Sequence, residues 1–336
     1  MKWLLPPRGA NRVVGKGSSE PMARTVMKHL IHAVPILMLC GCASLRPGAL
    51  SDLVDGTPED TTVTEVDRDL GADGRDASLL SAFFGLDSAL PRGLNYFSGE
   101  KFEGRDGMPV VFSHELDFST LQAGDFSITT ESGKVGQPAF VTLAPADDVG
   151  EWRTVLLVGE YGSIEDQPVQ VEIVGNLLSD DRSVNFKGKT VGVVRLEEGP
   201  SMALAQVAPE NEWRTGQRAT LGPGGGSGCD PETVQAIRIT WEGGVTKPGG
   251  KEVDDRERLL YKVVVLNRDG SATEVTPFAI ADLKDGDNNH LLCLDVEGTP
   301  QSVFFPAGHV TDPREDLNPE TRIEVTGENA VGRRRR

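Results

Sequence analysis

Asp125-Phe126-Ser127-Ile128-Thr129-Thr130 sets the fold class. Phe126 and Ile128 alternate with polar residues, the period-2 pattern of a strand with one face buried. Runs of the same kind lie on both sides, at 109–113 and 116–121 before it and at 139–143, 154–158 and 169–174 after it. In the last of these, Val169, Val171 and Ile173 alternate against Gln170 and Glu172. The chain carries Gly 39 and Pro 21, which favours many turns over long helices. Short strands at this spacing predict a β-sandwich over residues 93–198. Just before it, Leu79, Leu80, Phe83 and Leu86 fit one helical face and Pro91 stops the run, so 78–92 reads as a short helix docked on the sandwich.

The second half repeats the strand signal after a break. Residues 199–231 read as a linker, with Leu221-Gly222-Pro223-Gly224-Gly225-Gly226-Ser227-Gly228 as a flexible glycine run. No Lys-Ser/Thr follows the glycines, and Cys229-Asp230-Pro231 places an acid where a phosphate would sit, so a nucleotide loop is excluded. From 232 to 327 a second β domain is expected. It runs from Val234, Ile237 and Ile239 to Trp241, then through 259–266, a turn at Asn267-Arg268-Asp269-Gly270, and 275–283, 291–296 and 302–305. Asp-Gly tolerates the positive φ that tight hairpins need. The order predicts an antiparallel meander. The fold class expected is therefore mainly β: a sandwich, then a second antiparallel β domain.

The N-terminal segment has a different character. The ten residues 30–39 are apolar apart from His32 but too short to span a bilayer, which needs about 20. Lys28 precedes them and Leu39-Cys40-Gly41-Cys42 closes them. This stretch resembles the lipobox of bacterial lipoprotein signal peptides, and residues 1–42 then form the signal. Met22 or Met27 is the better start of it, which makes 1–26 a misplaced translation start. The resemblance implies that Cys42 becomes the lipidated N-terminus. It implies an extracytoplasmic protein held to a membrane, with Ala43 favouring the outer membrane or its periplasmic face. Cys40 would leave with the signal, so Cys229 and Cys293 remain in an oxidising compartment, where an even remainder implies one disulfide. Residues 43–77 hold Pro, Gly, Thr and Asp with almost no aromatics, a composition that predicts a disordered tether. Residues 328–336 read as a disordered tail.

A second resemblance rests on Val110-Val111-Phe112-Ser113, Leu116-Asp117, Ser119-Thr120-Leu121 and Asp125-Phe126. These are similar to the opening of bacterial Ig-like domains of exported and surface-layer proteins. Gly175-Asn176-Leu177-Leu178-Ser179-Asp180 departs from the usual closing turn. The resemblance implies an Ig-like sandwich that serves as a spacer or adhesion module. The 232–327 half resembles no family.

Charge narrows the partners. The formal net charge is −17, and residues 1–42 hold six Lys/Arg and one Glu, which leaves 28 basic and 50 acidic residues, or −22, beyond them. Such a surface repels phosphates, so nucleic acid is excluded as a partner, Arg333 to Arg336 notwithstanding. The partners expected are the membrane, through the lipid anchor, and a protein or glycan of the cell envelope. No Gly-x-Ser-x-Gly elbow or His-Glu-x-x-His occurs, and after the signal only His114, His290 and His309 remain. No catalytic residue is singled out. The reading is a lipid-anchored structural or binding module, and a carboxylate-dependent hydrolase is the alternative. Asp282, Asp285, Asp287 and Asn289 form an oxygen-rich turn that reads either as a solvated hairpin or as a calcium loop. Calcium is thus the one cofactor considered, and a calcium-stabilised binding protein is the third reading. Asp312, Glu315, Asp316 and Asn318 could join such a loop if the fold brings them near.

Overall fold

The computed structural model describes residues 77–90, 102–213 and 226–327. The signal and lipobox, the tether up to residue 76, most of the glycine run and the C-terminal tail lie outside the described residues. Eight strands form the first sheet: β1 (Leu79–Phe83), β2 (Asp106–Phe112), β3 (Phe126–Thr130), β4 (Val135–Gly136), β5 (Phe140–Thr142), β6 (Thr154–Gly159), β7 (Pro168–Ile173) and β8 (Thr190–Val194). Their order is β4-β3-β7-β8-β1-β2-β6-β5. Every pairing is antiparallel except β1 with β8, the first strand with the last.

The sheet is folded over on itself. β3 and β2 lie four strands apart in that order, which is roughly 19 Å in a flat sheet. Yet the rings of Phe112 on β2 and Phe126 on β3 meet edge to face at 6.5 Å. Val110, Phe112, Phe126, Ile128, Val155, Leu157, Val171 and Ile173 converge in one core, so the two halves form a sandwich-like pair of layers. Phe126 and Ile128 point inward, as their alternation requires.

Residues 78–92, expected to be helical, instead contribute β1. The stripe of apolar residues misleads because β1 is covered on both faces. Leu79, Ala82 and Phe84 enter the first core. Ser81 and Phe83 point the other way and are buried as well, Phe83 lying against Gly243, two residues beyond the Gln235–Trp241 strand of the second half. A strand buried on both faces loses its period of two.

The second sheet contains β9 (Met202–Ala208), β10 (Gln235–Trp241), β11 (Lys262–Leu266), β12 (Ala272–Val275), β13 (Ala279–Ala281), β14 (Asn289–Leu294), β15 (Thr299–Phe305) and β16 (Thr321–Thr326). Its order is β12-β11-β15-β16-β9-β10-β14-β13. Counted from its own first strand, this is the order of the first sheet, again with one parallel pair, β9 with β16. The registers also correspond. Val110 faces Ala82 and Val155, and Ile239 faces Ala205 and His290. Irregularities recur at the same places: between Val111 and Phe112 opposite β1, and between Thr240 and Trp241 opposite β9. A second pair falls at Thr129/Thr130 opposite Pro168 and at Val264/Val265 opposite Pro300. Proline fits there because a bulge releases a strand residue from donating. The chain is therefore a tandem repeat of one topology.

This corrects two boundaries. Residues 199–231 are not only a linker, since β9 lies within them. The second domain begins at Met202 and not near 232, and it is a crossed sandwich rather than a meander. Cys229 and Cys293 are disulfide-bonded, with Cα atoms 5.9 Å apart. The bridge ties the segment before β10 to β14 among Ala208, Trp213, Ala236, Ala281 and Leu291.

The second core differs in one respect. Where the first sheet has Phe112, Phe126 and Val155, register places Trp241, Tyr261 and His290 in the second. The Trp241 indole N–H donates toward the Tyr261 hydroxyl at 3.2 Å and His290 Nδ1 at 3.3 Å, and Tyr261 Oη lies 2.8 Å from His290 Nδ1. Burial lowers the His290 pKa to about 4, so the ring is neutral in the folded state. The unfolded chain takes up a proton near pH 6.5 and the folded chain does not, so this contribution is complete above that pH and is lost as pH falls toward 4. The span corresponds to about 3 kcal/mol. We expect His290→Leu to flatten the acid side of the stability curve by about that amount between pH 6.5 and 4. Urea unfolding of both proteins across this range checks it, and parallel curves would disprove it.

Candidate functional site

The connections β5–β6 and β13–β14 occupy equivalent places in the two sheets, and they meet. Asn288 donates through Nδ2 to Trp241 O at 2.6 Å within its own sheet, and to Thr154 Oγ1 at the start of β6 at 3.2 Å. Arg238, on β10 and only 5% exposed, reaches into the same contact. Its guanidinium donates to Gly150 O at 2.8 Å, Val149 O at 3.3 Å and Glu212 Oε2 at 2.6 Å. A side chain on Gly150 would collide with Arg238 and Glu212, so glycine is required at this approach. Arg153, fully buried, donates to Ser113 O at 3.2 Å, and Glu115 is its main electrostatic partner.

Beside these pairs lies a group of acids. Carboxylate oxygens of Asp148, Asp282 and Asp285 fall within 4.8 Å of one another. Asp148 comes from the β5–β6 connection and the other two from the β13–β14 connection. The end of the glycine run covers them: Gly226 N–H donates to Asp148 Oδ2 at 3.0 Å, and Asp282 N–H donates to Ser227 O at 2.6 Å. A Cβ on Gly226 would stand 2.2 Å from Asp282 Oδ1 and 2.7 Å from Asp285 Oδ2. The 282–287 turn curls through positive φ at Asp282, Lys284 and Gly286.

Two more carboxyls stand against this group. Glu151 is 1% exposed. Its Oε2 accepts the Asp148 N–H at 3.3 Å, while Oε1 has no donor other than the neighbouring Asp282 carboxyl. Oδ2 of Asp282 and Oδ2 of Asp285 also lack donors. Asp287 accepts from the Asn289 backbone N–H at 2.9 Å and from its Nδ2 at 2.8 Å. Burial, with Asp282 next, pushes the Asp285 carboxyl up to about 7. Burial, then the charges of Asp287 and Asp282, holds Glu151 well above the ordinary range. Burial, then Asp285 and Asp282, does the same for Asp287.

Of the four residues expected to ligate calcium, Asp282 and Asp285 converge and Asp287 stands behind them. Asn289 does not belong to the set. It lies in β14, and its side-chain oxygen accepts the Thr240 hydroxyl at 2.8 Å. Asp312 accepts from the N–H groups of Arg314 and Asp316, and Asn318 accepts from those of His309 and Val310, so both organise their own loop. Sequence reading did not reach Asp148 or Glu151, which come from another segment and carry no local motif, and it took Gly226 only as part of a flexible glycine run.

Chemically, the region gathers seven carboxyls, Glu115, Asp148, Glu151, Glu212, Asp282, Asp285 and Asp287, around two guanidinium groups, Arg153 and Arg238. Arg153 faces Glu115, and Arg238 pairs with Glu212 while its charge also acts on Glu151 and Asp282. Asp148, Asp282 and Asp285 present hard oxygen donors to one point, the donor set of a divalent cation. Compared with known proteins, the sequence matches no family model and no curated protein.

Arg238 tests how far the contact depends on its charge pairs. Removing one partner of a buried pair leaves the other unpaired and costs about 3–5 kcal/mol. We expect Arg238→Met to lose about that much unfolding free energy, and Arg238→Lys to recover little, because a single ammonium cannot serve two carbonyls and a carboxylate in fork geometry. Chemical denaturation decides; a loss under about 1 kcal/mol would mean that the pair contributes little.

Proposed function

We propose that the chain is a lipid-anchored module of the cell envelope, in which two Ig-like sandwiches in tandem hold a binding surface away from the membrane. The observation that carries this reading is the repeated strand order. Lettered from the first strand, each sheet sets one layer of D-E-B-A beside a second layer of G-F-C-C′, the arrangement of Ig-like sandwiches. The motif at Val110, Phe112, Leu116 and Phe126 supports the same assignment for the first sheet. All four side chains enter its core. The disulfide fits an oxidising compartment outside the cytoplasm. A net charge of −22 beyond residue 42 favours a protein or glycan ligand over an anionic polymer.

The hydrolase reading is the weaker one. Paired catalytic carboxylates need a substrate between them, whereas here the backbone of Gly226 lies directly on Asp282 and Asp285. The hollow lined by Val194, Glu198, Ser201, Glu242, Leu317 and Pro319 is formed by other residues than the acid group.

Anchoring through Cys42 is directly testable. Two or three acyl chains hold a protein firmly where one does not. Cell fractionation of the Cys42→Ser protein should find it in the soluble fraction and without incorporated fatty acid. Retention in the membrane fraction at the wild-type level would overturn the anchor.

A further inference from the structure

We propose that Asp148, Asp282 and Asp285, with Glu151 set against Asp282, bind one calcium ion, which closes the junction between the two sandwiches. The inference goes beyond the envelope reading and does not need the lipid anchor. Three carboxylates converge from both halves of the chain. The independent observation is Glu151. It is 1% exposed, its carboxyl meets that of Asp282, and its Oε1 has no donor other than that neighbouring carboxyl. A buried carboxylate oxygen without a donor is costly. So are Asp282 Oδ2 and Asp285 Oδ2, which also lack donors. Oxygens left free in one place, on acids that repel one another, are completed by a cation.

The chemistry selects calcium among cations. Every side-chain donor is a carboxylate oxygen, which disfavours zinc and copper with their preference for nitrogen and sulfur. The ligands sit on two irregular connections, and the Gly226–Ser227 backbone holds one residue of each. Calcium accepts six to eight oxygens in variable geometry, whereas magnesium demands a near-ideal octahedron and keeps its waters. The three convergent carboxylates supply several of the oxygens, and water completes the sphere. The ion would tie together the β5–β6 connection, the β13–β14 connection and the segment that the Cys229–Cys293 bridge anchors.

The test uses the full chain, purified in detergent and freed of metal with a chelator. Calcium chloride is titrated by calorimetry, and melting is followed with calcium and with chelator. We expect one ion per chain, with a Kd at or below about 1 mM, the range of extracellular modules. Calcium should raise the melting temperature, and magnesium at equal concentration should do so by less. Asp285→Asn and Asp148→Asn should each weaken calcium binding at least about tenfold. Both should melt higher than the wild type in chelator, because each removes a repelling charge. Asp312→Asn, in a separate loop, should bind calcium as the wild type does. No heat and no shift in the wild type would overturn the proposal, as would unchanged binding in both Asp285→Asn and Asp148→Asn. Equal response to magnesium would overturn the assignment to calcium. Loss of membrane partition in Cys42→Ser bears on none of these readings, so the two proposals fail separately.

Discussion

An eight-stranded sheet with one apolar face has to cover that face, and each sheet here covers it with itself. The fold-over brings β2 against β3 in the first half and β10 against β15 in the second, where Trp241 meets Phe305 edge to face at 5.4 Å. Several other features accompany that closure. The bulges beside Pro168 and Pro300 sit where strands must bend. The first and last strands end up as neighbours. The connections after β5 and β13 come to matching positions, which is why two acidic loops from distant parts of the sequence can face one another.

The two halves use one backbone plan with different chemistry. The first core is wholly apolar at the positions where the second buries Trp241, Tyr261 and His290 around shared hydrogen bonds. Only the second contains a disulfide. Buried polar groups satisfied among themselves constrain side-chain placement more sharply than apolar contacts do. The second half also supplies Arg238, Asp282 and Asp285 to the junction.

Much of the fold was legible in the sequence, in proportion to how local its signal is. Phe126 and Ile128 declare a half-buried strand by alternation alone, and Asn267-Arg268-Asp269-Gly270 declares a hairpin by turn chemistry, with Gly270 at positive φ. Cys229 and Cys293 could be paired by counting once two others were assigned to the signal. β1 was misread because its second face is covered by another domain, which no window of sequence reveals. β9 was hidden beside a glycine run. The repeat itself was invisible because register, not residue identity, is what recurs: Val155 and His290 hold the same place with opposite polarity. In the acid group, Asp282 and Asp285 were visible as an oxygen-rich turn. Asp148 and Glu151 were not, since only the docking of two domains gives them a common purpose.

The pairing of β1 with β8 at Ala82–Val193 and Phe83–Val194 has a mechanical consequence. The chain enters this sheet at one end of β1 and leaves it at the far end of β8, and the strands run in the same direction. Tension between those two points drags the strands past each other along their lengths. Their hydrogen bonds are then loaded together, in shear, instead of opening one after another like a zipper. β9 and β16 repeat the arrangement at Ala205–Val325 and Gln206–Thr326. Each half is thus built to resist stretching through its own ends, whatever its loops hold.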